Sequence, residues 1–266
     1  MNGIGFIGIG NMGGAMAKAI ADKKDEKMMV YDHNKAAYDK FISCNNVKVA
    51  DDLEELVNGV KYIVLSVKPQ YYESVCKEMV NYLSAEHIII TVAPGYTIDS
   101  MHQLLGEKCK VIRTMPNTPA LIGEGITAYT YKENQFLQNE IECFLEFFNS
   151  FGQTICVEEK LMSAVVATTG SSPAYAYMFI EAMADAAVSF GMPRSMAYEM
   201  SAGAIKGACE MVLKTKKHPG ELKDAVTSPA GTTIQAVKAL EESGFRNSVI
   251  KGMEACYQKA NDMANQ

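Results

Sequence analysis

The chain has 266 residues, 48% apolar and 21% charged, with a formal net charge of −6, a composition typical of a folded protein of one large or two ordinary domains. The acidic balance argues against a nucleic-acid or membrane-binding surface, and we expect neither a signal peptide nor a membrane span, which needs roughly 18 unbroken apolar residues. Seven cysteines are dispersed without a CxxC pair and the four histidines are isolated, so we expect reduced thiols, no metal site and a cytoplasmic location.

The first 158 residues alternate short β-rich runs with helical stretches. The runs lie at 3–8, 28–31, 62–67, 88–93, 111–115, 126–131 and 154–158. Strands and helices that alternate in this way predict parallel βαβ units with helices on both faces of the sheet, so that residues 1–158 form a Rossmann-like, doubly wound α/β domain. Residues 62–67 are nearly all apolar, as expected of a strand buried on both faces.

A glycine-rich loop follows the first predicted strand and precedes an amphipathic helix. This G-x-G-x-x-G context predicts a dinucleotide site, in which Gly8 permits a tight turn, Gly10 admits the pyrophosphate and Gly13 lets the helix pack closely on the strand. The alternative is a glycine-rich turn without a ligand. The predicted cofactor-binding residues of the loop are Gly8, Ile9, Gly10, Asn11, Met12 and Gly13.

Asp32 closes the second predicted strand. An acidic residue at this point accepts hydrogen bonds from the adenosine ribose, which favours NAD and repels a 2′-phosphate. The alternative is that Asp32 caps a helical segment that begins near Lys35. The residues of the sequence alone do not decide between the two.

The sequence SVKP follows the strand predicted at 62–67. Ligands of doubly wound sheets bind beyond the carboxyl ends of the strands, so this turn is predicted to line the nicotinamide side. The alternative is a plain turn with proline at the first helical position. The remaining predicted residues for NADPH or NADH are Ser66, Val67, Lys68, Pro69 and, after the next strand, Ala93.

Residues 159–266 are predicted to form an all-helical domain. The predicted helices lie at 160–169, 173–190, 194–215, 229–243 and 246–264. Between two of them, Gly191 suits a carboxyl-terminal cap and Pro193 a helix start. Several of these helices are rich in Ala, Gly and Met around much of their circumference, which indicates burial on several sides and predicts a homodimer.

Three further motifs complete the pattern: RTMPNTP at 113–119, TTGSSPAY at 168–175 and HPGELKDAVTSPAGTTI at 218–234. Together with GIGNMG and SVKP they resemble the pyrroline-5-carboxylate reductase family over essentially the whole chain. The family usually has glycine where this chain has Ser172 and Ala230. The resemblance implies that NADPH or NADH reduces the cyclic imine 1-pyrroline-5-carboxylate to L-proline. It also implies a homodimer with intertwined helical domains and shared active sites, which can assemble into a larger homo-oligomer.

The SPAGTTI segment supplies a place for the substrate carboxylate. Ser228 is predicted to cap a helix and Pro229 to occupy its first turn, so that free N–H groups attract an anion. The resemblance places Thr233 beside the substrate ring, where its hydroxyl can bond the ring nitrogen, and makes it the candidate catalytic residue. The predicted substrate-binding residues here are Ser228, Ala230, Gly231, Thr232 and Thr233.

Two other polar residues have a structural and a functional interpretation. Asn117 lies between two prolines and is predicted to shape the floor of the substrate pocket. His218 is interpreted as a cap between helices, with a catalytic role as the less favoured alternative.

Two other functions remain open at this point. A β-hydroxyacid dehydrogenase has a similar glycine loop and a helical second domain, and it needs a lysine near the substrate hydroxyl, for which Lys206 is the loosely suitable candidate. A non-catalytic dinucleotide-binding paralogue of the reductase would keep the same motifs.

Overall fold

The computed structural model describes residues 3–23 and 26–264. These residues form two compact units: a sheet unit, Met1–Ser171 with Cys256–Gln266, and a helical unit, Ser172–Ala255. The domain boundary that we predict at residue 158 lies 13 residues before the division at Ser171 (171 − 158) and stays a prediction.

The sheet unit is built on one eight-stranded sheet of strand order β3-β2-β1-β4-β5-β6-β7-β8. The strands are β1 Ile4–Ile7, β2 Met28–Tyr31, β3 Val47–Val49, β4 Tyr62–Leu65, β5 Ile88–Thr91, β6 Lys110–Met115, β7 Gly125–Tyr131 and β8 Gly152–Cys156. Strands β1 to β6 are parallel, which confirms the predicted doubly wound sheet. Strand β7 is antiparallel to β6, because only the short turn Thr118–Ile122 and no crossover helix connects them.

Helices cover both faces of this sheet. They are α1 Asn11–Lys23, α2 Leu53–Gly59, α3 Tyr72–Met79, α4 Ile98–Leu105, α5 Gln138–Phe148 and the single turn α6 Met162–Val165. Alternate residues of β5 point to opposite faces, so Ile88 and Ile90 belong to one apolar core with α1 and α5, whereas Ile89 belongs to a second core with α2, α3 and α4. The near-continuous apolar strands therefore arise from burial on both faces.

The helical unit contains most of the remaining helices, and α11 continues into the sheet unit. They are α7 Ser172–Ser189, α8 Arg194–Thr215, α9 Pro219–Ala225, α10 Thr232–Glu242 and α11 Phe245–Ala264. The prediction at 194–215 is confirmed, and Gly191, with φ of 96°, ends α7 as expected. Helix α9 lies in a stretch that the sequence indicated as non-helical, because its prolines and glycines hid a helix of only seven residues.

Two other predicted helices differ in detail. Residues 160–169 form not one α-helix but a 3₁₀ turn, α6 and a π-helical turn at Val166–Gly170. The helix predicted at 229–243 begins only at Thr232.

Very little of the helical unit is buried within a single chain. Of its residues, all of which the structure describes, only Ala184, Ala197 and Ser201 are buried. Large apolar side chains are exposed instead, among them Phe190 at 85% and Met178 at 69%. Exposure on this scale indicates a surface that another protein chain covers.

Candidate active site

The glycine loop lies at the carboxyl edge of the sheet, after β1 and between the neighbouring strands β2 and β4. Gly8 has φ of 87°, and its N–H donates to the carbonyl of Tyr31 at 2.8 Å. A Cβ on Gly13 would lie 2.1 Å from the carbonyl oxygen of Gly8, so only glycine lets α1 approach the loop this closely. The predicted conformational roles of Gly8 and Gly13 are confirmed.

The start of α1 is suited to a phosphate group. A Cβ on Gly10 would meet nothing within 4 Å, so the loop is open at this point. The first turn of α1 contains no acidic residue, and its N–H groups and the helix dipole favour an anion. The Lys40 ammonium donates to the carbonyl of Gly10 at 3.2 Å and adds a positive charge beside the loop. The fold therefore fits the pyrophosphate of a dinucleotide.

Asp32 is tied to this loop by its side chain. One carboxylate oxygen accepts from the N–H of Ile9 at 2.8 Å and the other from the N–H of Asn34 at 2.8 Å. The alternative, that Asp32 caps the segment at Lys35, is wrong, because Asn34 is the cap and accepts from the N–H of Ala36. Asp32 is thus held at the end of β2 with lone pairs to spare for a ribose.

A cavity of about 430 Å³ extends from the glycine loop past Asp32. Five of its lining residues are predicted cofactor residues in addition to Asp32: Gly8, Gly10, Ser66, Val67 and Lys68. The other lining residues were not predicted, although several of them are sequence neighbours of Gly8 or Asp32. They are Ile7, Tyr31, His33, Asn34, Tyr71, Ser74 and Val75.

A second cavity, of about 680 Å³, adjoins the other side of the loop. Its predicted residues are Gly10, Asn11, Met12, Ser66, Val67, Lys68, Pro69 and Ala93. The unpredicted ones include Met115 and Pro116 from RTMPNTP, and Gly170 and Ser171 from TTGSSPAY. Both segments carry the family resemblance, so the motifs were a signal for this wall although no role was assigned to these residues.

Buried hydroxyl groups support the strand ends around the cavities. Ser66 donates to the carbonyl of Gly8 at 2.6 Å, and Pro69 begins a 3₁₀ turn at Pro69–Tyr71, as expected. Tyr72 donates to the carbonyl of Leu65 at 2.6 Å and lies 3.1 Å from the hydroxyl of Thr91. Burial raises the pKa of Tyr72, so its hydroxyl stays protonated as a donor between β4 and β5.

Asn117 is buried and its amide makes two hydrogen bonds. Its oxygen accepts from the N–H of Ile126 at 2.9 Å, and its nitrogen donates to the carbonyl of Thr169 at 3.1 Å. Asn117 therefore fixes the π-helical turn that precedes Ser171, and a direct contact with the substrate stays a prediction.

The SPAGTTI segment lies in the helical unit and begins with a tight turn. The N–H of Gly231 donates to the carbonyl of Ser228 at 3.1 Å, and Ala230 has φ of 59°. The predictions that Ser228 caps the helix and that Pro229 lies in its first turn are wrong, because Gly231 is the cap residue. The reason is that Pro229 occupies the second position of a β-turn, which its fixed φ favours equally.

The start of α10 remains open to an anion. No side chain caps it and its first turn has no acidic residue, so the N–H groups of Thr232, Thr233 and Ile234 lack intrahelical partners. The N–H of Gly231, expected to be free, is used by the turn. His218 caps α9 by accepting from the N–H of Gly220 at 3.0 Å, as its structural interpretation predicted.

Within residues 3–23 and 26–264, no group of three or more His, Cys, Asp or Glu side chains is placed to hold a metal ion. All seven cysteines belong to the described part of the chain and are free thiols. None of the described helices combines the length and apolar character needed to cross a bilayer.

Two family models match the chain: residues 159–263 match pyrroline-5-carboxylate reductase dimerisation and residues 3–95 match NADP oxidoreductase coenzyme F420-dependent. The pyrroline-5-carboxylate reductase of Escherichia coli (strain K12) is 40% identical over 98% of this chain and 98% of its own length. That of Methanosarcina acetivorans is 37% identical over 94% and 95%.

Solved structures agree with these relatives. The Plasmodium falciparum pyrroline carboxylate reductase with NADP bound is 32% identical, with a TM-score of 0.89 over 99% of this chain and 98% of that chain. The pyrroline-5-carboxylate reductase of Coxiella burnetii is 29% identical, with a TM-score of 0.88 over 98% of each chain.

Proposed function

The chain belongs to the pyrroline-5-carboxylate reductase family, and we propose that it transfers hydride from NADPH or NADH to the cyclic imine 1-pyrroline-5-carboxylate, giving L-proline. One observation carries this proposal: among the described helices without an acidic residue in the first turn, α1 begins at Asn11 directly after the glycine loop and α10 begins at Thr232 directly after the SPAG turn. A reaction between a dinucleotide and a carboxylate-bearing imine requires two such anion sites.

The reaction requires mainly that the imine be correctly oriented against the nicotinamide. The imine can arrive protonated, so its carbon is already electrophilic, and the nicotinamide cofactor supplies the hydride. The N–H groups of Thr232 to Ile234 hold the substrate carboxylate, and the Thr233 hydroxyl bonds the ring nitrogen. Positioning of this kind supplies several kcal/mol of rate enhancement. Asn117 acts by holding the turn that carries Gly170 and Ser171 at the wall of the second cavity.

The assembly that we propose is a homodimer with shared active sites, which pairs into larger homo-oligomers. The dimerisation family model and the exposed apolar side chains of the helical unit support the dimer. The free cysteines are consistent with the cytoplasmic location that we propose.

An assay of cofactor oxidation tests the function. We expect oxidation of NADH or NADPH that depends on 1-pyrroline-5-carboxylate, with L-proline as the product, and none for the Gly10→Asp variant. Turnover of β-hydroxyacids instead would favour the dehydrogenase, for which Lys206 on α8 is the candidate. Cofactor binding without turnover of either substrate would identify a non-catalytic paralogue.

The cofactor preference is a separate prediction. We expect NADH to be used at least as well as NADPH, because the Asp32 carboxylate repels a 2′-phosphate: two charges about 4 Å apart near a protein surface interact by about 4 kcal/mol. Replacing Asp32 by serine should shift the ratio of kcat/KM values toward NADPH by about tenfold or more.

Asp32→Asn is the matched control, because asparagine keeps an acceptor for the N–H of Ile9 but removes the charge. It should shift the ratio in the same direction. A wild-type protein that already prefers NADPH tenfold would contradict the role of Asp32 at the ribose.

A further inference from the structure

Part of the wall of the first cavity is formed by neither the glycine loop nor Asp32. Tyr71, Ser74 and Val75 contribute this part, from the turn before α3 and the first turns of that helix. Tyr71 is 53% exposed, although it is a large aromatic residue next to the fully buried Tyr72. The two neighbouring tyrosines therefore have opposite environments.

The backbone of Tyr71 is fixed from several directions. Its N–H donates to the carbonyl of Lys68 at 2.9 Å, its carbonyl accepts from the hydroxyl of Ser74 at 2.9 Å, and Pro69 limits the turn between them. On its other side, Tyr72 is anchored to the carbonyl of Leu65 at 2.6 Å. Tyr71 thus lines the cavity from a segment whose backbone is held in place.

The position of Tyr71 relates it to one half of the cofactor. The inference rests on the proposed function, which places the pyrophosphate at the glycine loop and the adenosine ribose at Asp32. The base attached to that ribose then continues along the same cavity, whose further lining residues include His33, Asn34 and Tyr71. The nicotinamide extends instead toward the second cavity, which Tyr71 does not line.

We propose that Tyr71 is the stacking platform for the adenine base of the cofactor. A half-exposed aromatic ring loses little by contact with a planar base, and base–aromatic stacking is a recurrent source of affinity in nucleotide binding. Tyr71 is accordingly a binding residue for the adenosine half and takes no part in hydride transfer.

The absence of tryptophan from the sequence gives a direct test that needs no substrate turnover. Tyr71→Trp creates a single fluorescent reporter at the proposed platform. Titration with adenosine monophosphate should quench its fluorescence saturably. The matched control is Leu137→Trp, because Leu137 is also exposed, at 64%, but lines neither cavity. Equal quenching of both reporters, or of neither, would overturn the proposal.

Kinetics provide the second test. Tyr71→Ala should raise the KM for NADH by about fivefold or more with kcat unchanged, whereas Tyr71→Phe keeps the ring and should resemble wild type. With reduced nicotinamide mononucleotide, which lacks adenosine, all three proteins should have the same KM. An unchanged KM for NADH in Tyr71→Ala, or an equal defect with the mononucleotide, would refute the stacking role.

The two tests separate this proposal from the proposed function. If adenosine monophosphate quenches the fluorescence but the imine is not reduced, the role of Tyr71 is supported and the proposed function is contradicted. If the imine is reduced but the fluorescence is not quenched, the proposed function stands and only the stacking role of Tyr71 is contradicted.

Discussion

Gly231→Val is expected to abolish imine reduction while leaving cofactor binding nearly unchanged. Gly231 has φ of −77° and ψ of 177°, an extended conformation that any residue adopts, so valine does not strain the backbone. A Cβ at this position would lie 2.4 Å from the hydroxyl oxygen of Ser228, so the Ser228 side chain must move to admit the branched side chain. The space for the substrate carboxylate is then filled, although the fold is kept.

The measurement is kcat/KM for the imine beside the Kd for NADH. Lys238→Val, about two turns further along α10 at an exposed position, is the matched control for a β-branched residue in this helix and should stay active. Thr233→Val should have a smaller effect than Gly231→Val and lower turnover by about fivefold, since it removes one hydrogen bond worth on the order of 1 kcal/mol. Wild-type activity of Gly231→Val would show that the carboxylate binds elsewhere.

The neighbouring Ala230 shows why the start of α10 was misplaced from the sequence. Ser-Pro reads equally as a helix cap followed by a first-turn proline and as the first two residues of a β-turn. The observed turn needs a left-handed residue at position 230, where alanine costs roughly 1–2 kcal/mol and glycine is the usual signal. Because residue 230 is alanine, the glycine that would have indicated this turn is missing from the sequence. Ser172, the other departure from the family, has no positive φ and starts α7 without such a penalty.

Strands and helices were predictable from the sequence where their pattern of apolar residues directly reflects which faces are buried. The strand at Tyr62–Leu65 is apolar throughout because both faces are covered, and this pattern is visible without any partner. Strand β3 was missed because it has only three residues and is partly exposed at the sheet edge. The direction of β7 was missed because it depends on what connects it to β6 rather than on its own residues.

Residues of the candidate cofactor site were predictable where they lie together in one sequence motif. Residues that only the fold brings together were not predictable. The glycine loop is a single stretch, and its conformation was correctly derived from it. The contact of Asp32 with the N–H of Ile9, 23 positions away in the chain, could not be predicted from the residues around Asp32, and its role at the ribose stays a prediction. Lys40 reaches the site from another segment, and nothing in its neighbouring residues indicates it. Tyr71 lies two residues after the predicted SVKP turn, but only the fold shows that it lines the cavity.

The proposal that active sites are shared between subunits can be tested by a mixing experiment with an all-or-none outcome. The cavities for the cofactor belong to the sheet unit, whereas SPAGTTI belongs to the helical unit, whose apolar side chains are exposed in one chain. A two-fold dimer covers such a surface and can complete the cofactor site of one subunit with the substrate turn of the other.

The experiment pairs two differently tagged, inactive chains and isolates their mixed dimer. One chain carries Gly10→Asp, whose carboxylate would project into the open space for the pyrophosphate, and the other carries Gly231→Val. If sites are shared, one of the two sites in the mixed dimer is intact and about half of the wild-type activity returns. If each site lies within one chain, both sites stay defective and the mixed dimer is inactive.

The reciprocal pairing is the control and must give the opposite result. A chain with both substitutions is paired with a wild-type chain, so that shared sites each contain one defect and the mixed dimer is inactive. Sites within one chain would instead leave the wild-type subunit intact, at about half of the activity of a wild-type dimer. Half activity in this control, or a fully active monomer in sedimentation, would contradict shared sites.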